Sequence, residues 1–210
     1  MKRTIKIVLL LAIFNLNGCC FDSCKDIPQF CDIVGLQSHI KQITTVNPNG
    51  SYYVKPLDSN EIINFDKFII QITTLETYYG YNSNKNKFNI GAFFINSAYA
   101  CSCADPGMSG SKELISEINV FSSYPFTSSG STSDTLSKYF DISGQYYNGE
   151  NVQRMDLDSF TMTTPKALKG FVLYVKVKPS GSLKQKFTIH YKHTNGDNFA
   201  ISTPTIEFNP

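Results

Sequence analysis

The feature that most constrains the fold is an alternation of apolar and polar residues with a period of two. It is clearest over residues 171–178, FVLYVKVK, and it stops at Pro179. Residues 68–73 repeat the pattern, and residues 36–46 and 88–95 are rich in β-branched and aromatic side chains. Successive side chains of a strand point to opposite faces, so this pattern predicts strands that are buried on one face.

Clusters of Asn, Ser, Thr and Gly separate these runs, at residues 47–51, 81–87, 127–133 and 147–151. Short strands between such clusters are typical of an all-β fold, here an antiparallel β-sandwich or open barrel with little helix. Residues 111–118 are compatible with a short helix or with a loop leading into a strand.

The sequence of the C-terminal strand pair predicts how its two strands are aligned. A three-residue loop at Thr194–Gly196, with the glycine in a left-handed conformation, would pair Tyr191 with Phe199 and Ile189 with Ile201. This register sets the two apolar faces against each other, and a type I turn with a glycine bulge is a common hairpin connection.

The N-terminus has the layout of a secretory signal peptide. Lys2, Arg3 and Lys6 precede an unbroken apolar run at residues 7–14, which is too short to be a permanent membrane span. The alternatives are a buried N-terminal helix of a cytoplasmic protein and a secreted protein cut by the ordinary signal peptidase.

The residues that follow, Leu16-Asn17-Gly18-Cys19, resemble the lipobox of bacterial lipoproteins. By that resemblance Cys19 is the lipidation site and cleavage follows Gly18, so the protein is anchored to a membrane through its N-terminal lipid. The predicted organisation is a signal peptide over residues 1–18, a lipidated, cysteine-rich tether over 19–34 and a single β-rich domain over 35–210.

The charge balance argues against a nucleic-acid partner. The chain carries 19 basic and 17 acidic residues, and the predicted signal peptide holds three of the basic ones and none of the acidic ones. Removing it leaves 16 basic against 17 acidic residues, with Arg154 as the single arginine. Nucleic-acid-binding domains usually carry a clear basic excess.

Five cysteines follow Cys19. The cell envelope is oxidising, so we expect disulfides, with Cys24 or Cys31 bonded to Cys101 or Cys103 and the connectivity left open. Because the number is odd, at least one thiol has no partner in the chain, and we predict that this thiol is Cys20. Cys20 and Cys24 have the spacing of one half of a structural zinc site, but Cys101 and Cys103 are too close to form the other half, so no metal or cofactor is predicted.

No catalytic constellation is visible in the sequence. His190 and His193 lie three residues apart on a predicted strand, so they point to opposite faces and do not form a metal-binding pair. Neither a nucleophile elbow nor a phosphate-binding glycine loop is present. No catalytic residue is therefore predicted.

Two groups of tyrosines are the candidate binding residues, Tyr78, Tyr79 and Tyr81 in one and Tyr146 and Tyr147 in the other. Both groups run into polar loops, where tyrosine rings can stack on sugars or make adaptable contacts with proteins. The alternative is structural: one ring of an adjacent pair packs in the core and the other covers the surface.

Three segments resemble an uncharacterised family of small lipoproteins from Bacteroidota. They are the lipobox at Cys19 with the cysteine-rich start running to residues 31–36, the stretch Cys101-Ser102-Cys103-Ala104-Asp105-Pro106-Gly107, and Ile118-Asn119-Val120. The resemblance implies a cell-envelope lipoprotein of the outer membrane and supplies no activity. A single acid, Asp22, follows the anchor, which leaves the surface or periplasmic orientation open.

The function expected from these observations is that of a non-enzymatic envelope lipoprotein, whose β-sandwich domain acts by binding proteins or glycans. The alternative is a secreted, glycosidase-like hydrolase with carboxylates on loops of the β-scaffold. The oligomeric state is not specified by the sequence.

Overall fold

The computed structural model describes residues 30–47, 52–58, 61–78 and 109–210. These residues form twelve strands, one α-helix and two 3₁₀ turns, the turns at Phe65–Lys67 and Ser137–Tyr139. The strands are β1 (Asp32–Val46), β2 (Tyr52–Pro56), β3 (Ile62–Ile63), β4 (Phe68–Thr77), β5 (Ile115–Ser122), β6 (Phe140–Tyr146), β7 (Asn151–Asp156), β8 (Leu168–Val175), β9 (Lys184–Gln185), β10 (Phe187–His193), β11 (Asn198–Ser202) and β12 (Ile206–Phe208); the helix is α1 (Leu157–Met162).

The strands belong to three sheets. The largest has six strands in the order β2-β1-β4-β8-β6-β7, and two three-stranded sheets have the orders β11-β10-β5 and β3-β12-β9. All pairings are antiparallel except that of β3 with β12. The described residues therefore form an all-β, mostly antiparallel sandwich and not a closed barrel, which confirms the predicted class.

One hydrophobic core lies between the sheets. Phe171 of β8 stacks on Tyr191 of β10 at 5.8 Å with an interplanar angle of 17°, which joins the six-stranded sheet to its three-stranded partner. Phe187 of β10 lies 5.4 Å from Phe140 of β6 and 6.0 Å from Phe68 of β4. Of these residues, the period-two pattern assigns Phe68 and Phe171 to a buried face, and both are buried.

The C-terminal hairpin has the predicted register. Tyr191 pairs with Phe199 and Ile189 pairs with Ile201, and Gly196 has a φ of 99°. The backbone N–H of His193 donates to the Asp197 carbonyl at 2.9 Å and closes the three-residue loop. The glycine supplies the left-handed conformation that this loop needs.

Residues 111–118 lead into strand β5 and do not form a helix. The Ser111 side chain accepts a hydrogen bond from the Glu113 N–H at 3.1 Å, and strand pairing begins at Ile115. The α-helix is α1 instead, where the Asp156 carboxylate accepts from the Ser159 N–H at 3.0 Å and caps the first turn.

The first strand begins inside the segment predicted as a tether. Strand β1 starts at Asp32, and the preceding Cys31 is 3% exposed and donates its N–H to the Gly110 carbonyl at 3.1 Å. The strand predicted over residues 88–95 lies outside the described residues. In the part of the chain that the structure describes, no helix has the length and apolar character to cross a membrane.

Candidate functional site

The face of the six-stranded sheet that points away from the core carries the candidate site. Strand β1 is longer than its neighbour β4, and their pairing ends at Gln42 and Phe68. Residues 43–46 continue past this point and pair with β2. A β-bulge between Ile43 and Thr45 interrupts the pairing there, and bulges bend a strand and increase its twist. The β1–β2 hairpin therefore leaves the plane of the sheet.

Tyr52 of β2 bends over the sheet as far as Tyr174 of β8. The two strands are three positions apart in the sheet, which corresponds to about 14 Å in a flat arrangement. Nevertheless the two hydroxyl oxygens are 2.6 Å apart, and the rings meet edge to face with centroids 6.5 Å apart. The face is therefore concave at this point.

Arg154 of β7 reaches the same tyrosine from the other edge of the sheet. Its guanidinium carbon lies 4.4 Å from the centre of the Tyr174 ring, a cation–π contact. Its Nε donates to the Asp141 carboxylate at 2.9 Å, which fixes the plane of the guanidinium. Covered by residues from both edge strands, Tyr174 is only 7% exposed.

A groove of about 940 Å³ lies between the β1–β2 and β6–β7 hairpins, and we call it the hairpin groove. This volume is typical of ligand-binding clefts. The lining consists of residues 43–46, Tyr52, Asp66, Lys67, Ser143, Gly144, residues 151–154 and Tyr174.

Three hydroxyl groups form a chain in this groove. The Tyr174 hydroxyl lies 2.6 Å from that of Tyr52 and 3.0 Å from that of Ser143. Burial raises the pKa of Tyr52, and the hydrogen bond to Tyr174 raises it further, so its hydroxyl is protonated at neutral pH. The Tyr52 hydroxyl can therefore both donate and accept a hydrogen bond at this end of the chain.

Beside the groove, two carboxylates face each other across the β6–β7 pair. Asp141 is the register partner of Asp156, and Lys176 forms ion pairs with both. The hydrogen bond from Lys176, with that from the Ser159 N–H, lowers the pKa of Asp156 to about 2. A glycosidase acid requires a raised pKa, so Asp156 does not fit that role.

The predicted tyrosines Tyr146 and Tyr147 lie at a second, smaller cavity of about 250 Å³. Tyr147 is held in place there: its hydroxyl lies 2.9 Å from Thr74 Oγ1 and is hydrogen-bonded to the Cys31 thiol. Gly110, with a φ of 75°, lies against its ring, where a Cβ would come within 2.6 Å. Tyr147 thus has fixed packing contacts while it lines the cavity, and burial raises the pKa values of Tyr147 and of Cys31.

Of the other predicted tyrosines, Tyr78 is the one that the structure describes, and it lines neither cavity. The Tyr78 hydroxyl donates to the Glu76 carboxylate on β4. Tyr79 and Tyr81 lie outside the described residues.

Cys31 is the one cysteine among the described residues, and it carries a buried free thiol. The predicted anchor Cys19 and the disulfide candidates Cys24, Cys101 and Cys103 lie outside these residues, as does Cys20. The disulfide between the two cysteine groups therefore stays a prediction.

Sequence reasoning missed Tyr52, Tyr174 and Arg154 as a site. Two signals were available: Tyr174 occupies a polar position of the alternating run, and Arg154 is the single arginine after residue 18. Neither signal shows that side chains from both edge strands of the sheet contact Tyr174. No protein-family model, no curated protein and no solved structure matches this chain.

Proposed function

We propose that this protein is a lipid-anchored binding module of the cell envelope, held at the outer membrane, and that it binds a protein or glycan ligand in the hairpin groove. The observation that carries the proposal is the meeting of Tyr52 and Arg154, from opposite edges of one sheet, over Tyr174. It creates a groove whose lining combines apolar and aromatic side chains with polar and charged ones. A cleft of this kind can bind a ligand through both ring contacts and hydrogen bonds.

Binding is favoured over hydrolysis because of where the carboxylates lie. In the described lining of the groove, Asp66 is the one carboxylate, whereas glycoside hydrolysis ordinarily uses two, on either side of the bond that breaks. The neighbouring pair, Asp141 and Asp156, is bound to Lys176 and Arg154. These acids stabilise the sheet that forms the groove.

The anchor has a direct test. In cells fed a clickable fatty acid, we expect the full-length protein to be labelled and the Cys19→Ala variant to lose all label, because Cys19 is the proposed acceptor. Cys20→Ala is the matched control, since it removes the adjacent thiol, and it should keep the label. Equal labelling of the wild type and Cys19→Ala would refute the anchor.

The groove has an independent test that uses the absence of tryptophan from the chain. Thr45 is exposed and lines the groove, so Thr45→Trp places a unique fluorescent reporter there. We expect its emission to shift saturably when the purified domain is titrated with a soluble peptide pool or a soluble polysaccharide pool. The shift arises because a ligand displaces water from the indole.

The matched control is Val34→Trp, on the same strand but outside the groove lining, where the side chain is also exposed. Its emission should not change with either pool. If both reporters respond alike, or if neither pool shifts the Thr45→Trp emission, the hairpin groove is not a binding site.

A further inference from the structure

We infer that the ligand of the hairpin groove is a neutral oligosaccharide. The inference rests on the proposed function, and it narrows the ligand from a protein or glycan to neutral glycans. Three features of the groove support it: the hydroxyl chain, the pairing of its charges and the structure of its two edge strands.

The hydroxyl chain matches the hydrogen-bonding character of a sugar. Tyr52, Tyr174 and Ser143 supply three hydroxyl protons, and the two hydrogen bonds between them use two. One proton and several lone pairs remain for a ligand, and reversing the chain moves the free donor from one end to the other. A sugar hydroxyl also donates and accepts, so it can bind at either end.

The charges of the groove are balanced by neighbours, so it favours neither an anion nor a cation. The described lining carries one acid, Asp66, and two bases, Lys67 and Arg154, and Arg154 is ion-paired with Asp141 at 2.9 Å. The charges of these four side chains sum to zero, so a charged polysaccharide gains little Coulomb energy over a neutral one.

The edge strands disfavour an extended peptide, which would bind by adding a strand to the sheet. Strand β2 has five residues and ends in Pro56, and the β6–β7 pairing is interrupted by a register shift between Ile142 and Gly144. Short edges, prolines and bulges are the features that prevent strand addition. Meanwhile Ile43 and Val152 give the groove the apolar surface on which the C–H face of a sugar ring packs.

The test is calorimetric titration of the wild-type domain with neutral hexasaccharides of glucose, mannose and N-acetylglucosamine. At least one should bind, and Tyr52→Phe should weaken its binding about tenfold, because it removes a hydroxyl from the end of the chain. Tyr174 keeps its hydrogen bond to Ser143 in that variant, so the fold is retained. Tyr53→Phe, on the exposed neighbouring residue, should bind as the wild type does.

Salt separates a neutral ligand from a charged one. Between about 0.1 M and about 1 M salt, which shortens the Debye length from about 10 to about 3 Å, the affinity for the hexasaccharide should change less than twofold. Tighter binding of an acidic oligosaccharide at low salt would overturn the inference. If peptides but no neutral oligosaccharide bind the wild type and shift the Thr45→Trp emission, the sugar class is wrong and the groove remains a binding site. If no class binds, the inference and the proposed function both fail.

Discussion

Phe187→Ala is expected to lower the free energy of unfolding by about 3 to 5 kcal/mol, the range found for phenylalanines in well-packed cores. The Phe187 side chain is 0% exposed, and its ring contacts those of Phe68, Phe126 and Phe140. Phe187 belongs to the three-stranded layer, whereas Phe68 and Phe140 lie on the six-stranded sheet and Phe126 on the loop after β5, so the cavity cannot close by moving one element. The expected loss of stability therefore combines the lost burial of the ring with the cost of the cavity that remains.

Chemical denaturation of the purified domain measures this effect. The midpoint should fall while the slope of the unfolding free energy with denaturant stays constant, since the surface exposed on unfolding hardly changes. Phe121→Ala is the control: Phe121 is half-buried on β5 and faces His190 at 5.2 Å. We expect Phe121→Ala to lower the free energy of unfolding by about 1 kcal/mol. Equal losses in the two variants would show that Phe187 does not connect the layers.

The elements that the sequence predicts correctly are those determined by neighbouring residues. The apolar alternation at residues 68–73 and 171–178 follows from the two faces of a strand, and the first run lies inside β4. Strand β8 ends at Val175, three residues before the predicted end, and Val177 is exposed. The register of Tyr191 with Phe199 depends on a three-residue loop and its glycine. Each of these predictions needs only a few adjacent side chains.

The candidate site is not determined locally. Tyr52 and Tyr174 are 122 residues apart in the chain, and they meet because a bulge bends β1 and because β1 lies two strands from β8 in the sheet. Strand order depends on how all faces pack together, and alternation alone does not specify it. The adjacent tyrosines at 146 and 147 gave a stronger local signal, yet Tyr147 packs against Thr74 and Cys31.

His193 is a buried residue whose surroundings are likewise not determined by its neighbours in the sequence. Histidines are often partly exposed, but the His193 side chain is 1% exposed and contacts the rings of Tyr191 and Phe199. Both ring nitrogens are buried, and neither has a hydrogen-bond partner among the residues that the structure describes. A buried polar group without partners lowers stability by about 1 to 3 kcal/mol. Burial lowers the pKa of His193, against the opposing influence of the Asp197 and Glu113 carboxylates.

His193→Phe is therefore expected to stabilise the domain by about 1 to 2 kcal/mol at neutral pH, because an apolar ring replaces an unpartnered polar one. The substitution should also make the stability of the domain less sensitive to acid.

The folded-state pKa of His193 lies below its unfolded value, so the unfolded chain binds the proton more readily. The stability of the wild type therefore falls as the pH drops below the unfolded value of about 6.5. Urea unfolding at about pH 7.5 and about pH 5.5 brackets this window and lies above the titration of ordinary carboxyls. The wild type should lose stability between the two, His193→Phe should lose less, and His190→Phe, at the half-buried histidine on the opposite face of β10, should behave as the wild type does. A wild type whose stability does not fall, or a His193→Phe variant that is less stable at both pH values, would show that this histidine has a partner in solution.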